Sequence, residues 1–150
     1  MNLKIKTFVC ALFATLLCVA CQSKMKEVPF SVAERYFVKN TVQGEVPTEI
    51  TTEAEFNNLF GMAAVMGDKG RPTPVDFTKQ FVIAVVKPAS DYATKLVPVS
   101  LQRTAHGELH FTYTMEIGEK QSYSTRPALI IVVDKSDAGK VLLTEENVKP

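Results

Sequence analysis

Apolar and polar residues alternate without a fault from Leu109 to Ile117, with Leu109, Phe111, Tyr113, Met115 and Ile117 on one face and His110, Thr112, Thr114 and Glu116 on the other. A period of two over this length predicts a strand with one face in a core. Val97, Val99 and Leu101 alternate in the same way with Pro98 and Ser100. Pro98 has no N–H for a ladder, so this strand is expected to carry an edge or a bulge there. His106 and Gly107 stand between the two runs as a short polar stop, which predicts a hairpin and antiparallel pairing. Two other runs show no alternation at all. Phe81-Val82-Ile83-Ala84-Val85-Val86 and the stretch Pro127 to Val133 are continuously apolar and β-branched, the pattern of strands buried on both faces. Val141-Leu142-Leu143 is a short closing strand after the Asp137-Ala138-Gly139 turn.

The first half reads differently. Thr52-Glu53-Ala54-Glu55 is a capping-box pattern, in which the threonine hydroxyl accepts from a free N–H of the first turn and Glu55 reaches back. Phe56, Leu59 and Phe60 then make one apolar stripe at helical spacing, and Gly61 is placed to stop the helix. Residues 33–38 form a candidate first strand, bounded by Asn40 and Gly44. Gly67, Gly70, Pro72 and Pro74 mark the stretch Ala63 to Asp76 as a surface loop. One helix followed by a run of strands predicts an α+β domain, in which a predominantly antiparallel, twisted sheet packs that helix or curls towards a small barrel.

The start of the chain sets the compartment. Lys4 and Lys6 precede the apolar run TFVCALFATLLCVAC from Thr7 to Cys21, with the small residues Val19 and Ala20 just before Cys21. This is the grammar of a secretory signal, too short for a comfortable spanning helix. Cys18-Val19-Ala20-Cys21 resembles a bacterial lipobox, with Cys18 where that pattern usually has leucine. The resemblance implies cleavage between Ala20 and Cys21 and a diacylglyceryl group on the Cys21 thiol, so that the membrane is met through a lipid. The expected organisation is a signal peptide over residues 1–20, a lipidated cysteine and flexible tether over 21–31, and a single domain over 32–150.

All three cysteines lie in or at the end of the signal, so the domain carries no disulfide. Loss of Lys4 and Lys6 takes the formal net charge from +1 to −1, with no basic run left behind, which argues against nucleic acid as a partner. Gln22 is not the aspartate that retains lipoproteins in the inner membrane of many Gram-negative bacteria, so the resemblance implies the outer membrane.

The chain lacks the constellations that catalysis needs. His106-Gly107-Glu108-Leu109-His110 has its glutamate out of place for a zincin helix, and the chain's two histidines fall short of three zinc ligands, so no metal or cofactor is expected. There is no Gly-x-Ser-x-Gly elbow. Gly67-Asp68-Lys69-Gly70 lacks the spacing of a phosphate loop. Asp76, Asp91, Asp134 and Asp137 sit at expected turns and strand ends, where carboxylates face water. A non-enzymatic binding role is the expectation that remains.

The succession of Phe77, the run Phe81 to Val86, Tyr92, the alternating strands and Arg126-Pro127-Ala128-Leu129-Ile130-Ile131-Val132-Val133-Asp134-Lys135 resembles the C-terminal domain of PrcB-like proteins, small lipoproteins named as accessory subunits of a secreted protease complex. The resemblance covers about Phe77 to Lys135 and departs at Ser90-Asp91-Tyr92, where the family often has Gly-Gly-Tyr. It implies a non-catalytic module that holds or tempers another protein, such as a secreted protease. Two expected loops offer the anchors for such a contact: Ser90, Asp91 and Tyr92 in one, Tyr123 and Arg126 in the other. The alternative is a lipoprotein that holds a small ligand or glycan in a cavity lined by Phe111, Tyr113 and Met115.

Overall fold

The structure, a computed structural model, describes residues 24–67 and 69–147. Ala20 and Cys21, where cleavage and acylation are expected, lie outside that range. The architecture is α+β, and among the described residues no sheet closes into a barrel. Among the described residues ten strands and one α-helix follow the order β1 (Lys26–Glu27), β2 (Ser31–Val32), β3 (Tyr36–Val38), β4 (Glu49–Ile50), α1 (Glu53–Leu59), β5 (Phe60–Met62), β6 (Gln80–Val86), β7 (Ser90–Arg103), β8 (Leu109–Thr125), β9 (Ala128–Asp134) and β10 (Val141–Glu146), with a 3-10 turn at Lys135–Asp137 after β9.

The centre of the fold is one antiparallel ribbon bent over on itself. β6 and β9 pair from Gln80 opposite Asp134 to Val86 opposite Ala128. Both strands then run on through short connections into β7 and β8, and the Lys87 N–H donates to the Pro127 carbonyl at 2.9 Å across the corner. β7 and β8 pair from Ser90 opposite Thr125 to Arg103 opposite Leu109. Thr104 to Glu108 close the hairpin, with Gly107 at φ +85 in the left-handed region that the expected turn demands. The Pro98 bulge is present as well, since the register slips between Pro98 and Ser100.

The fold of the ribbon explains the two kinds of apolar pattern. Phe81, Ile83 and Val85 of β6 and Leu129, Ile131 and Val133 of β9 face the β7–β8 layer, where Leu96, Leu101, Leu109, Phe111 and Tyr113 meet them. The alternate residues Val82, Ala84, Ile130 and Val132 face the other way, onto Val38, Ile50, Phe56 and Phe60. The β6–β9 layer is therefore covered on both sides and is apolar throughout, whereas β7–β8 is covered on one side and alternates.

The helix starts as its sequence requires. The Thr52 hydroxyl accepts from the Glu55 N–H at 3.3 Å, and Phe56 is buried beneath it, with its ring 5.0 Å from Tyr36 and 5.5 Å from Phe77. Gly61 does not stop it. The helix ends at Leu59, Phe60 turns into extended conformation, and Gly61 lies within β5 opposite Phe37. A Cβ at Gly61 would stand 2.5 Å from the Phe37 ring, so the glycine makes room for that ring.

Three further expectations change. Residues 33–38 are not one strand: Arg35 adopts φ 66 and turns the chain from the β9 edge, where the Ala33 N–H meets Ile130, towards β5. The closing strand runs parallel to β8, from Val141 beside Leu109 to Glu146 beside Thr114. The stretch read as a tether is built into the domain from Lys26 onward. β1 pairs with Gln102 and Arg103, Val28 is 4% exposed, and the Phe30 ring meets Phe111 edge-on at 6.0 Å. Single apolar residues between polar ones give no period, yet Val28 and Phe30 fill the rim of the core.

Candidate protein-binding surface

The β7–β8 hairpin is longer than the layer that supports it. Leu109, Phe111 and Tyr113 are buried, Met115 is partly so, and Ile117, still in phase with them, is 63% exposed. The strict alternation thus marks a face that leaves the core before the strand ends. Beyond Leu96 on β7 and Met115 on β8 no residue of the ribbon is buried until the corner at Pro127 is reached. This outer ribbon is also irregular. Tyr92 lies opposite Lys120 and Ser90 opposite Thr125, so β8 carries extra residues that bulge outward between these pairs.

Ser90, Asp91, Tyr92 and Tyr123 sit on this outer ribbon, so they belong to paired strands and not to the loops expected for them. Tyr92 is 44% exposed and Tyr123 is 58% exposed. The Ser90 hydroxyl accepts from the Tyr92 N–H at 3.1 Å, the Asp91 carboxylate pairs with Lys120 at 3.3 Å, and the Tyr123 hydroxyl accepts from the Gln121 amide at 3.0 Å. Ile117 joins the two tyrosines as a third exposed apolar side chain. Its alternation with buried residues hid it, because nothing local to Ile117 says where the opposing sheet stops.

Arg126 has a different task from the one expected of it. Its guanidinium is half-buried and donates to the Val42 carbonyl at 3.0 Å and to the Gly44 carbonyl, fastening the loop before β4 to the corner of the ribbon. An open cleft of about 830 Å³ lies there, bounded by that loop, the corner residues and Tyr113. Lys87, at its rim, forms an ion pair with Glu145 of β10, and the Tyr113 hydroxyl donates to the same carboxylate at 3.1 Å. The bond to Glu145 raises the Lys87 ammonium above its ordinary value, with Tyr113 adding to the effect. The bond from Lys87 holds Glu145 below the usual carboxylate range. Both shifts have the sign of a formed ion pair.

The remaining expected residues are dispersed. Asp76 accepts from the Thr78 hydroxyl and N–H, which lower its pKa, and Asp134 is lowered in the same way by Ser136. Asp137 pairs with Arg103 at 3.6 Å. His106 is exposed and His110 lies opposite Gln102 on β7. Among the described residues no three metal-ligating side chains gather, and no polar or charged residue is buried. Phe111 is fully buried, Tyr113 is 5% exposed and Met115 packs against the same cluster, so these three fill the core, and of them Tyr113 alone reaches the cleft.

No family model, no curated protein and no solved structure matches this chain. Among the described residues no helix is long and apolar enough to cross a membrane.

Proposed function

We propose that this protein is a lipid-anchored, non-catalytic binding module, held in the cell envelope through an acylated Cys21 and engaging a protein partner through the outer β7–β8 ribbon. The observation that carries the reading is the ribbon itself. Tyr92, Ile117 and Tyr123 stand exposed on hydrogen-bonded strands that extend past the core. Aromatic side chains on an ordered backbone lose little freedom on binding, and tyrosine is among the residues enriched at interface hot spots. The resemblance of Phe77 to Lys135 to PrcB-like accessory lipoproteins favours a secreted protease as the partner, and the lipobox favours the outer membrane of a Gram-negative bacterium.

The ligand-binding alternative has less support. Phe111 and Met115 are core, Tyr113 meets the open cleft from the core side, and at that cleft Arg126 and Lys87 are already engaged by Val42, Gly44 and Glu145. Affinity purification of the tagged, lipidated protein from solubilised membranes, followed by mass spectrometry, is expected to bring a protease with it. The double variant Tyr92→Ala, Tyr123→Ala, folded by circular dichroism, is expected to lose that partner. Full recovery of the partner by the double variant overturns the reading.

A further inference from the structure

We infer that the hairpin-turn end of the domain rests against the lipid surface and that the outer ribbon is held away from it. The inference rests on acylation of Cys21 in the reading above, and adds an orientation to it. From Cys21 to Lys26 the chain can span at most about 18 Å, because a residue extends no more than about 3.6 Å. Lys26 is already fixed, opposite Arg103 at the last pair of β7. Arg103 in turn donates to the Gly107 carbonyl at 3.1 Å and to the Asp137 carbonyl at 2.5 Å, which ties the hairpin turn to the turn after β9. A Cβ at Gly139 would lie 2.5 Å from the Gly107 carbonyl oxygen, so these two turns touch. The anchor therefore leaves from one defined end of the molecule. Lys24, Met25 and Lys26 are exposed there, two cations and an apolar side chain suited to an anionic lipid surface.

The opposite end is set by β6. Gln80, opposite Asp134 and next to the tied turn, is its near end, while Val86 leads through Lys87 to Ala89 into Ser90. The seven residues of β6 span about 20 Å at the usual rise, and Tyr92 and Tyr123 lie past its far end, on the side of the corner away from the anchor.

The chain's three cysteines all fall at or before Cys21, so a cysteine added to the domain is labelled alone once Cys21 is acylated. His106→Cys and Tyr123→Cys alter exposed side chains and are each labelled with a fluorophore. The lipidated proteins are reconstituted in phosphatidylethanolamine–phosphatidylglycerol vesicles containing a headgroup-labelled quencher lipid. Quenching is expected to be several-fold stronger at position 106 than at 123. A glycine-serine insert of twenty or so residues between Ser23 and Lys24 is expected to bring the signal at 106 down towards that at 123. Equal quenching at both sites, or an insert without effect, in protein that floats with the vesicles overturns the orientation and leaves the anchor standing. Protein that fails to float and shows an unmodified Cys21 by mass overturns the anchor, and the orientation with it.

Discussion

The inner and outer halves of the β7–β8 ribbon share strands, hydrogen bonding and much of their residue chemistry, yet they have opposite fates. Phe111 and Ile117 belong to the same alternating face of β8; one is fully buried and the other is 63% exposed. The difference lies outside the strand. Phe111 has the β6–β9 layer beneath it, whereas Ile117 lies beyond its edge. Periodicity therefore reports which residues share a face, and the length of the opposing layer decides how much of that face becomes core.

This contrast has an energetic form that can be broken. Phe111→Ala is expected to cost about 3–5 kcal/mol in urea unfolding, because it leaves a cavity between two packed layers. A loss below about 1 kcal/mol would mean that the inner half is no better supported than the outer. Arg126→Ala removes two hydrogen bonds at the corner where the halves meet, and a loss of about 1–3 kcal/mol is expected. Amide exchange should quicken at Val42 to Val46 and leave β6 unchanged. The Lys87–Glu145 pair comes next, at less than about 1 kcal/mol because both side chains are partly in water. Glu145 is lowered, so its contribution is present above the ordinary carboxylate range and fades as pH falls through its own value. Lys87 is raised, so its contribution is present below the ordinary ammonium value and fades as pH rises through the folded one. Glu145→Gln should accordingly match the parent protein in strong acid and fall behind it at neutral pH. Tyr92→Ala with Tyr123→Ala sits at the bottom of the scale, within about 0.5 kcal/mol per site. A large loss of stability from that pair would show that the outer ribbon is structural.

Much of the sheet is legible in the chain itself. The continuous runs of β6 and β9, the alternation of β8, the turn at Gly107, the bulge at Pro98 and the cap at Thr52 each have a local physical cause, and each is where that cause puts it. The rest depends on contacts distant in sequence. Residues 26–32 are too short and too polar to signal strands, and they pair because Gln102, Arg103, Ile131 and Val132 present edges to them. The break at Arg35 follows from a change of partner, and the parallel course of β10 follows from where the β9 turn releases the chain. Of the candidate site, the exposure of Tyr92 and Tyr123 follows from their polar surroundings, but their place on strands and the clamp made by Arg126 follow from the register of the ribbon.

Pro29 has a wider effect than its place in a short crossing suggests. β1 covers β7 only at Gln102 and Arg103, with one further bond from the Val28 N–H to Leu101, and the chain then departs for β9 because proline has no N–H to continue the ladder. Along β7 from Tyr92 to Ser100 no described strand lies on the outer side. Such an edge is a template on which other chains can polymerise. Pro98 deletes a donor in the middle of it, the adjacent bulge bends it, and Lys95 adds a charge beside it. One proline opens the edge and another guards it, so the same residue type that frees β7 from β1 also keeps other chains from pairing along it.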